Sequence, residues 1–155
     1  MTSPTEASTM PVAGDKAPKF KVAAHPEGEV SLEDFHGKKN VILAFYPKDN
    51  TPGCTKEMCA FSEDYSKFES ADTVVFGVSS DNLESHDKFS KQFGLKQKLL
   101  ADTKGEVGKL YGTIGEGKTN SSRVLFVIDK QGVIQEVIQG MPENAKLLET
   151  LAKLK

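Results

Sequence analysis

Two cysteines, Cys54 and Cys59, are the residues of this chain whose type and spacing point most directly to chemistry. Two thiols are too few for a disulfide framework, so we expect a catalytic or metal role in a reducing compartment. Cys54 follows a predicted buried strand and a tight loop, at the start of a predicted helix, where free amides and the helix dipole favour an anion. We therefore predict that Cys54 is a thiolate nucleophile, with a small buried core residue as the alternative.

Cys59 follows Cys54 by five residues. In one regular helix their Cα atoms would lie roughly 8.7 Å apart, whereas a disulfide needs less than about 7 Å. Oxidation of the pair would therefore require the helix to unwind locally. The spacing excludes a Cys-x-x-Cys redox pair, and no metal site is expected because His25, His36 and His86 are scattered singly without partners at ligand spacing.

Three other side chains could assist a thiolate. Arg123 is the single arginine among 20 basic residues and opens a predicted apolar strand, where its planar fork could bind an oxyanion or simply lie at the surface. Glu57, one turn after Cys54, could pair with Arg123 or be a solvated helix carboxylate. Thr51, three residues before Cys54, could bring its hydroxyl to the thiolate, cap the helix, or do both.

This set of groups suits the reduction of a hydroperoxide. The Cys54 thiolate would attack the terminal peroxide oxygen and become a sulfenic acid, which Cys59 would convert into a disulfide before irreversible over-oxidation. Arg123 and Thr51 would steady the peroxide oxygens and the charge developing on the leaving oxygen. Neither a metal nor an organic cofactor is required.

The hydrophobic pattern predicts the elements that position these residues. Strands are predicted at 20–24 and 29–32, which form a small hairpin, and at 40–46, 73–79, 98–101, 123–129 and 133–139. Helices are predicted at 54–70, 81–93, 105–111 and 142–154. This order predicts an α/β three-layer sandwich whose mixed central sheet has parallel inner strands and an antiparallel edge. Residues 1–13 are expected to be a flexible tail and 14–155 a single domain.

Composition excludes several classes of function. The 155 residues carry a formal net charge of -2 and the pI is about 5.9, so no nucleic-acid partner is expected. The longest apolar stretch, 41–46, is far shorter than the roughly 20 residues of a membrane span. The first residues also lack the pattern of a signal peptide, so we expect a cytoplasmic protein without membrane contact.

The segment 45–59 reads Phe-Tyr-Pro-Lys-Asp-Asn-Thr-Pro-Gly-Cys-Thr-Lys-Glu-Met-Cys and resembles the active-site segment of the peroxiredoxins. Pro47, Thr51 and Cys54 match the family pattern Pro-x-x-x-Thr-x-x-Cys. Cys59 matches the second cysteine of the peroxiredoxin Q subfamily, also called bacterioferritin comigratory protein. The resemblance covers almost the whole chain after residue 13, including segments 14–20, 77–81, 84–89 and 123–129.

The resemblance implies a thioredoxin-like fold and a role for each matching residue. Cys54 would be the peroxidatic cysteine, Cys59 the resolving cysteine and Glu57 the residue that orients Arg123. Thr51 and Arg123 would be the catalytic pair that activates the peroxide, and Pro47 would be the pocket wall. The substrate-binding residues would be Pro47, Thr51, Gly53 and Arg123. Such proteins are usually monomers that reduce hydrogen peroxide and organic hydroperoxides and are recycled by thioredoxin or a similar dithiol donor.

Residues 96–98, Lys-Gln-Lys, depart from the family pattern, which more often has a proline and an apolar residue there. This leaves the local packing beside the pocket, and hence the preferred substrate size, open. Two other functions compete with a peroxidase: a general thiol-disulfide oxidoreductase on the same fold, and a non-enzymatic redox sensor that uses the helix unwinding without Arg123.

Overall fold

The computed structural model describes residues 10–154, so residues 1–9 of the predicted tail and Lys155 lie outside the described part of the chain. Within this range the strands are β1 (Lys21–His25), β2 (Glu29–Ser31), β3 (Asn40–Phe45), β4 (Thr73–Ser79), β5 (Lys98–Ala101), β6 (Val124–Ile128) and β7 (Ile134–Gln139). The α-helices are α1 (Pro52–Glu63), α2 (Tyr65–Ser70), α3 (Leu83–Phe93), α4 (Glu106–Leu110) and α5 (Asn144–Ala152). A short 3-10 helix, Leu32–Phe35, follows β2.

The strands form one mixed sheet in the order β2-β1-β5-β4-β3-β6-β7. Strands β3, β4 and β5 are parallel, while β6 runs antiparallel to β3 and β7 antiparallel to β6. The N-terminal hairpin of β1 and β2 extends the sheet by antiparallel pairing of β1 with β5. Because β3 and β4 are parallel, the loops that follow them meet at the same edge of the sheet.

The central sheet is covered on both faces, as the unbroken burial of β3 requires. Ile42 and Ala44 pack in one core cluster with side chains from α1, α2, α3 and α5, whereas Leu43 and Phe45 pack in a second cluster with α4 and the N-terminal hairpin. The alternation follows from the two-residue period of a strand. The predicted three-layer α/β sandwich is therefore confirmed.

The predicted helix 54–70 is two helices, and this is the largest correction to the predicted elements. Helix α1 begins two residues before Cys54, and the chain leaves helical geometry at Asp64, whose φ and ψ are -96° and 13°. The Asp64 amide donates to the Ala60 carbonyl at the end of α1, and the Asp64 carboxylate accepts from Asn144 at 3.0 Å. Aspartate favours helix ends. The apolar residues nevertheless keep helical spacing on both sides of Asp64, so the sequence pattern predicts one continuous helix.

Helix α3 begins two residues later than predicted, and both of its ends have local causes. The Asn82 side chain accepts from the Ser85 amide at 2.9 Å and caps the first turn. Gly94 ends the helix in the left-handed region with a φ of 62°. The Asp81 carboxylate, just before the helix, accepts from the Asp49 amide in the loop that follows β3.

The longest helix, α1, has 12 residues. Within residues 10–154 no helix combines the length and apolar character needed to cross a membrane.

Candidate active site

Cys54 lies where the chain passes from β3 into α1. Strand β3 ends at Phe45, and a loop of residues 46–51 leads to Pro52, which starts the helix and has no amide hydrogen to satisfy. Cys54 is the third residue of α1 and is only 1% exposed. The first amides of a helix have no partner within it, so the Cys54 sulfur lies in a region that favours negative charge.

Arg123 reaches Cys54 from the residue before β6. One guanidinium nitrogen, Nη2, lies 3.4 Å from the Cys54 Sγ, and Nη1 donates to Glu57 Oε1 at 2.7 Å. The Gly140 amide fixes the backbone by donating to the Arg123 carbonyl at 2.8 Å. The structure thus brings Cys54, Glu57 and Arg123 together, although Arg123 and Cys54 are 69 residues apart.

The Arg123 guanidinium is paired with a carboxylate, Glu57, that is almost fully buried. The Glu57 side chain is 1% exposed, and burial raises the pKa of Glu57 to about 7, although Arg123 partly offsets this effect. Its second oxygen, Oε2, has no hydrogen-bond partner among the described residues. For Arg123, burial lowers the pKa, but the contacts with Glu57 and Cys54 outweigh it and raise the pKa above its ordinary value. Arg123 therefore stays a cation throughout the working pH range.

Gly53 explains how Arg123 can approach so closely. A Cβ atom at this position would lie 2.9 Å from Arg123 Nη2, closer than two such atoms normally come. The backbone of Gly53 therefore forms one wall of the space that the guanidinium occupies. Gly53 matters here through its small size and not through its backbone conformation, because it is a helical residue without a left-handed φ.

Thr51 and Pro47 lie in the loop before α1, and both are half-buried. Thr51 occupies the cap position of α1 without a side-chain capping bond. Its hydroxyl instead donates to the Lys48 carbonyl at 3.0 Å. Since the hydroxyl hydrogen is used there, the oxygen keeps its lone pairs for a donor.

A buried polar network holds this loop, and sequence reasoning missed its central residue. The Asp49 carboxylate accepts from the Tyr46 hydroxyl at 2.6 Å and from Ser85 Oγ at 2.8 Å, and it lies 2.7 Å from His86 Nδ1. His86 Nε2 lies 2.9 Å from the Leu100 carbonyl. A single polar residue in a loop gave no sequence signal for this role. His86 packs in this network and does not contact Cys54.

Cys59 also lies in α1, and both cysteines are free thiols. Cys59 is half-buried. Burial, together with the nearby Glu63 carboxylate, raises the pKa of the Cys59 thiol. Because both cysteines belong to one continuous helix, they can form a disulfide only if part of α1 leaves helical geometry.

Two cavities lie near the start of β3, at the edge of the sheet opposite the loop 46–51. One, of about 410 Å³, is lined by residues including Phe35 and Val41, and the other, of about 490 Å³, by residues including Asn40 and Leu151. Cys54 lines neither of them. The candidate site is therefore defined by the contacts around the Cys54 thiol and not by either cavity.

The AhpC/TSA family model matches residues 13–137. The chain belongs to the AhpC/TSA family. It is 39% identical over 142 residues to the chloroplastic peroxiredoxin Q of Sedum lineare. The alignment covers 91% of this chain and 76% of that protein. These matches confirm the predicted peroxiredoxin resemblance.

Two solved structures to which the chain is similar confirm the predicted thioredoxin-like fold. The peroxidoxin BcpB of Mycobacterium tuberculosis superposes with a TM-score of 0.86 at 28% identity, covering 95% of this chain and 99% of that one. A cysteine-to-serine variant of Xylella fastidiosa PrxQ gives a TM-score of 0.84 at 27% identity, with 93% and 96% covered.

Proposed function

We propose that this protein is a thiol-dependent peroxidase that reduces hydrogen peroxide and organic hydroperoxides through Cys54. The observation that carries the proposal is the Arg123 side chain, which donates both to the buried Cys54 sulfur at 3.4 Å and to Glu57 at 2.7 Å. A guanidinium in this position favours the thiolate before attack and the charge that develops during attack. Membership of the AhpC/TSA family and a relative named peroxiredoxin Q support the same reaction.

In the first step the Cys54 thiolate attacks the terminal oxygen of the hydroperoxide. An S–O bond forms while the O–O bond breaks, and the leaving oxygen takes the electron pair of that bond and a proton from solvent to become water or an alcohol. Cys54 is oxidised to a sulfenic acid. Arg123 would stabilise the charge on the leaving oxygen, and Thr51 Oγ1 would accept the O–H of the bound hydroperoxide. Pro47 and Gly53 would border the bound substrate.

In the second step Cys59 attacks the sulfur of the Cys54 sulfenic acid. An S–S bond forms and water leaves, which requires α1 to unwind between the two residues. Unwinding would also expose the Cys59 thiol, and so remove the burial that raises its pKa. Thioredoxin or a similar dithiol donor would then reduce the disulfide by thiol–disulfide exchange.

We further propose that the enzyme acts as a monomer in the cytoplasm. Both thiols needed for one catalytic cycle lie on the same helix, so the proposed cycle requires no second copy of the chain. Two free cysteines suit a compartment in which a dithiol donor keeps them reduced. Light scattering of the reduced and the oxidised protein would test the monomer, with one mass expected in both states.

The rate of thiol consumption tests the proposed reaction. One equivalent of hydrogen peroxide is mixed with the fully reduced protein in a stopped-flow instrument, and the product is examined by intact mass. We expect both thiols to vanish far faster than free cysteine reacts, with a loss of two hydrogens per chain. A rate no better than that of free cysteine would contradict the peroxidase and favour thiol exchange or redox sensing.

A further inference from the structure

Gln97, at the connection between α3 and β5, is a polar side chain buried against the reactive helix. It is 2% exposed, and its Nε2 donates to the Met58 carbonyl at 3.0 Å and lies 3.5 Å from the Met58 sulfur. Its Oε1 has no hydrogen-bond partner in the described part of the chain. A buried amide with one unsatisfied oxygen weakens a fold, so the hydrogen bond to Met58 calls for a reason other than stability.

The position of the Met58 carbonyl gives that reason. This carbonyl belongs to the peptide group that joins Met58 to Cys59, in the interior of α1. A carbonyl there already accepts from the amide four residues later, so the bond from Gln97 is additional. If the backbone between Cys54 and Cys59 unwinds, this peptide group rotates and the bond to Gln97 breaks.

Contacts beyond Cys59 hold the rest of the helix in place. Ser62 Oγ donates to the Gly94 carbonyl at 3.2 Å and accepts from the Lys96 amide at 3.1 Å. Asn144 Nδ2 donates to the Ala60 carbonyl at 3.0 Å. These contacts lie outside the five-residue span that must unwind, whereas the bond from Gln97 to Met58 lies within it.

We infer that Gln97 is a positioning residue for the resolution step: by holding the Met58 carbonyl it keeps Cys59 in the folded helix and slows disulfide formation. This inference rests on the proposed peroxidase function. While α1 stays folded, the Cys54 sulfenic acid can react with a second peroxide, which transfers an oxygen to sulfur and leaves as water or alcohol, giving a sulfinic acid. When α1 unwinds, Cys59 displaces water from the same sulfur and forms the disulfide. Gln97 therefore shifts the ratio of disulfide to sulfinic acid towards the sulfinic acid.

Substitution of Gln97 by methionine tests the inference. Methionine is similar in length and apolar, so Gln97→Met removes both the bond to Met58 and the unsatisfied oxygen. The matched control is Asn144→Ala, which removes an amide-to-carbonyl bond of the same kind just past Cys59, together with the bond from Asn144 to Asp64. For each variant the rates of sulfenic acid formation and of disulfide formation are measured in single turnovers, and intact mass gives the sulfinic fraction over a peroxide series. Gln97→Asn, whose shorter amide cannot reach Met58, replaces Gln97→Met if that variant does not fold.

We expect Gln97→Met to form the disulfide roughly threefold to tenfold faster, from the typical worth of one hydrogen bond. The peroxide concentration at which half of the protein becomes sulfinic acid should rise by the same factor. The rate of sulfenic acid formation should not change, and Asn144→Ala should behave as wild type. An unchanged or slower resolution step in the Gln97 variant, or equal acceleration in both variants, would overturn the inference alone. Slow reaction of the wild type with peroxide would instead overturn the proposed function.

Discussion

Helix α1 contains two regions that are held in different ways. Residues 52–57, the front half, contact the rest of the site through Arg123, which donates to Cys54 and Glu57. Residues 58–63, the back half, accept side-chain amide hydrogen bonds from Gln97, which is buried, and from Asn144, which is partly buried. Oxidation of Cys54 changes the group that Arg123 contacts, so it acts first on the front half. Of the two back-half contacts, only the bond from Gln97 to Met58 lies within the span that must unwind.

The two cysteines differ in the same way. Cys54 lies among the free amides of a helix start, 3.4 Å from a guanidinium. Cys59 lies in the middle of the helix, where burial and Glu63 raise the pKa of its thiol. The comparison shows that two thiols on one helix can have very different surroundings, which suits the proposed roles of Cys54 as the attacking thiol and Cys59 as the resolving thiol.

Removal of the guanidinium should give the largest change. With Arg123→Ala we expect the rate of reaction with hydrogen peroxide to fall about 100-fold to 1000-fold, the usual effect of losing one preorganised donor. Stopped-flow thiol consumption measures it. Lys130→Ala is the charge control, since Lys130 pairs with Asp72 at 2.7 Å far from Cys54, and its rate should equal that of wild type. An Arg123→Ala rate within a few fold of wild type would remove Arg123 from the proposed mechanism.

The front half should also show a pH-dependent stability that originates at Glu57. The folded-state pKa of about 7 lies above the ordinary value of 4.5, so the unfolded chain loses this proton first and stability falls as pH rises between these values. Relative to Glu57→Gln, wild type should lose up to about 3 kcal/mol across that range. Urea unfolding of both proteins at several pH values measures this difference. Parallel pH profiles would show that Glu57 titrates as an ordinary carboxylate.

A methyl group at Gly53 should disturb Arg123 with little effect on the fold. The added Cβ would meet Arg123 Nη2 at 2.9 Å, and the flexible end of the arginine can move aside. We expect Gly53→Ala to react about tenfold more slowly with peroxide, while alanine stabilises the helix by up to about 1 kcal/mol. In the Arg123→Ala background the same change should have no further effect on rate. Additive losses would mean that Gly53 acts independently of Arg123.

The sequence predicted the front half of α1 better than the back half. The position of Cys54 at a helix start, the single arginine and the one-turn spacing of Glu57 are signals that can be read without coordinates, and the structure brings those three residues together. The assignments of their roles remain predictions. The fold class and the order of the elements followed from the apolar runs.

The anchors of the back half and of the loop could not be predicted, because each joins distant segments. Gln97 lies 39 residues from Met58, and His86 lies 37 residues from Asp49. In a sequence such polar residues look like solvated surface positions. Only the packing of α3 and β5 against α1 and its loop decides that they are buried. The break between α1 and α2 at Asp64 was not predicted either, because the apolar residues on both sides of it keep helical spacing.

The most direct test of the difference between the two cysteines is the reaction of hydrogen peroxide with two single-cysteine variants. Cys59→Ser retains only Cys54, and Cys54→Ser retains only Cys59, so each thiol is measured alone by stopped flow under identical conditions. We predict that the Cys54 thiol reacts faster by roughly a thousandfold or more, because it alone has the guanidinium and the helix start. Equal rates would contradict the account, since Cys54 would then be no more reactive than the thiol assigned to resolve it.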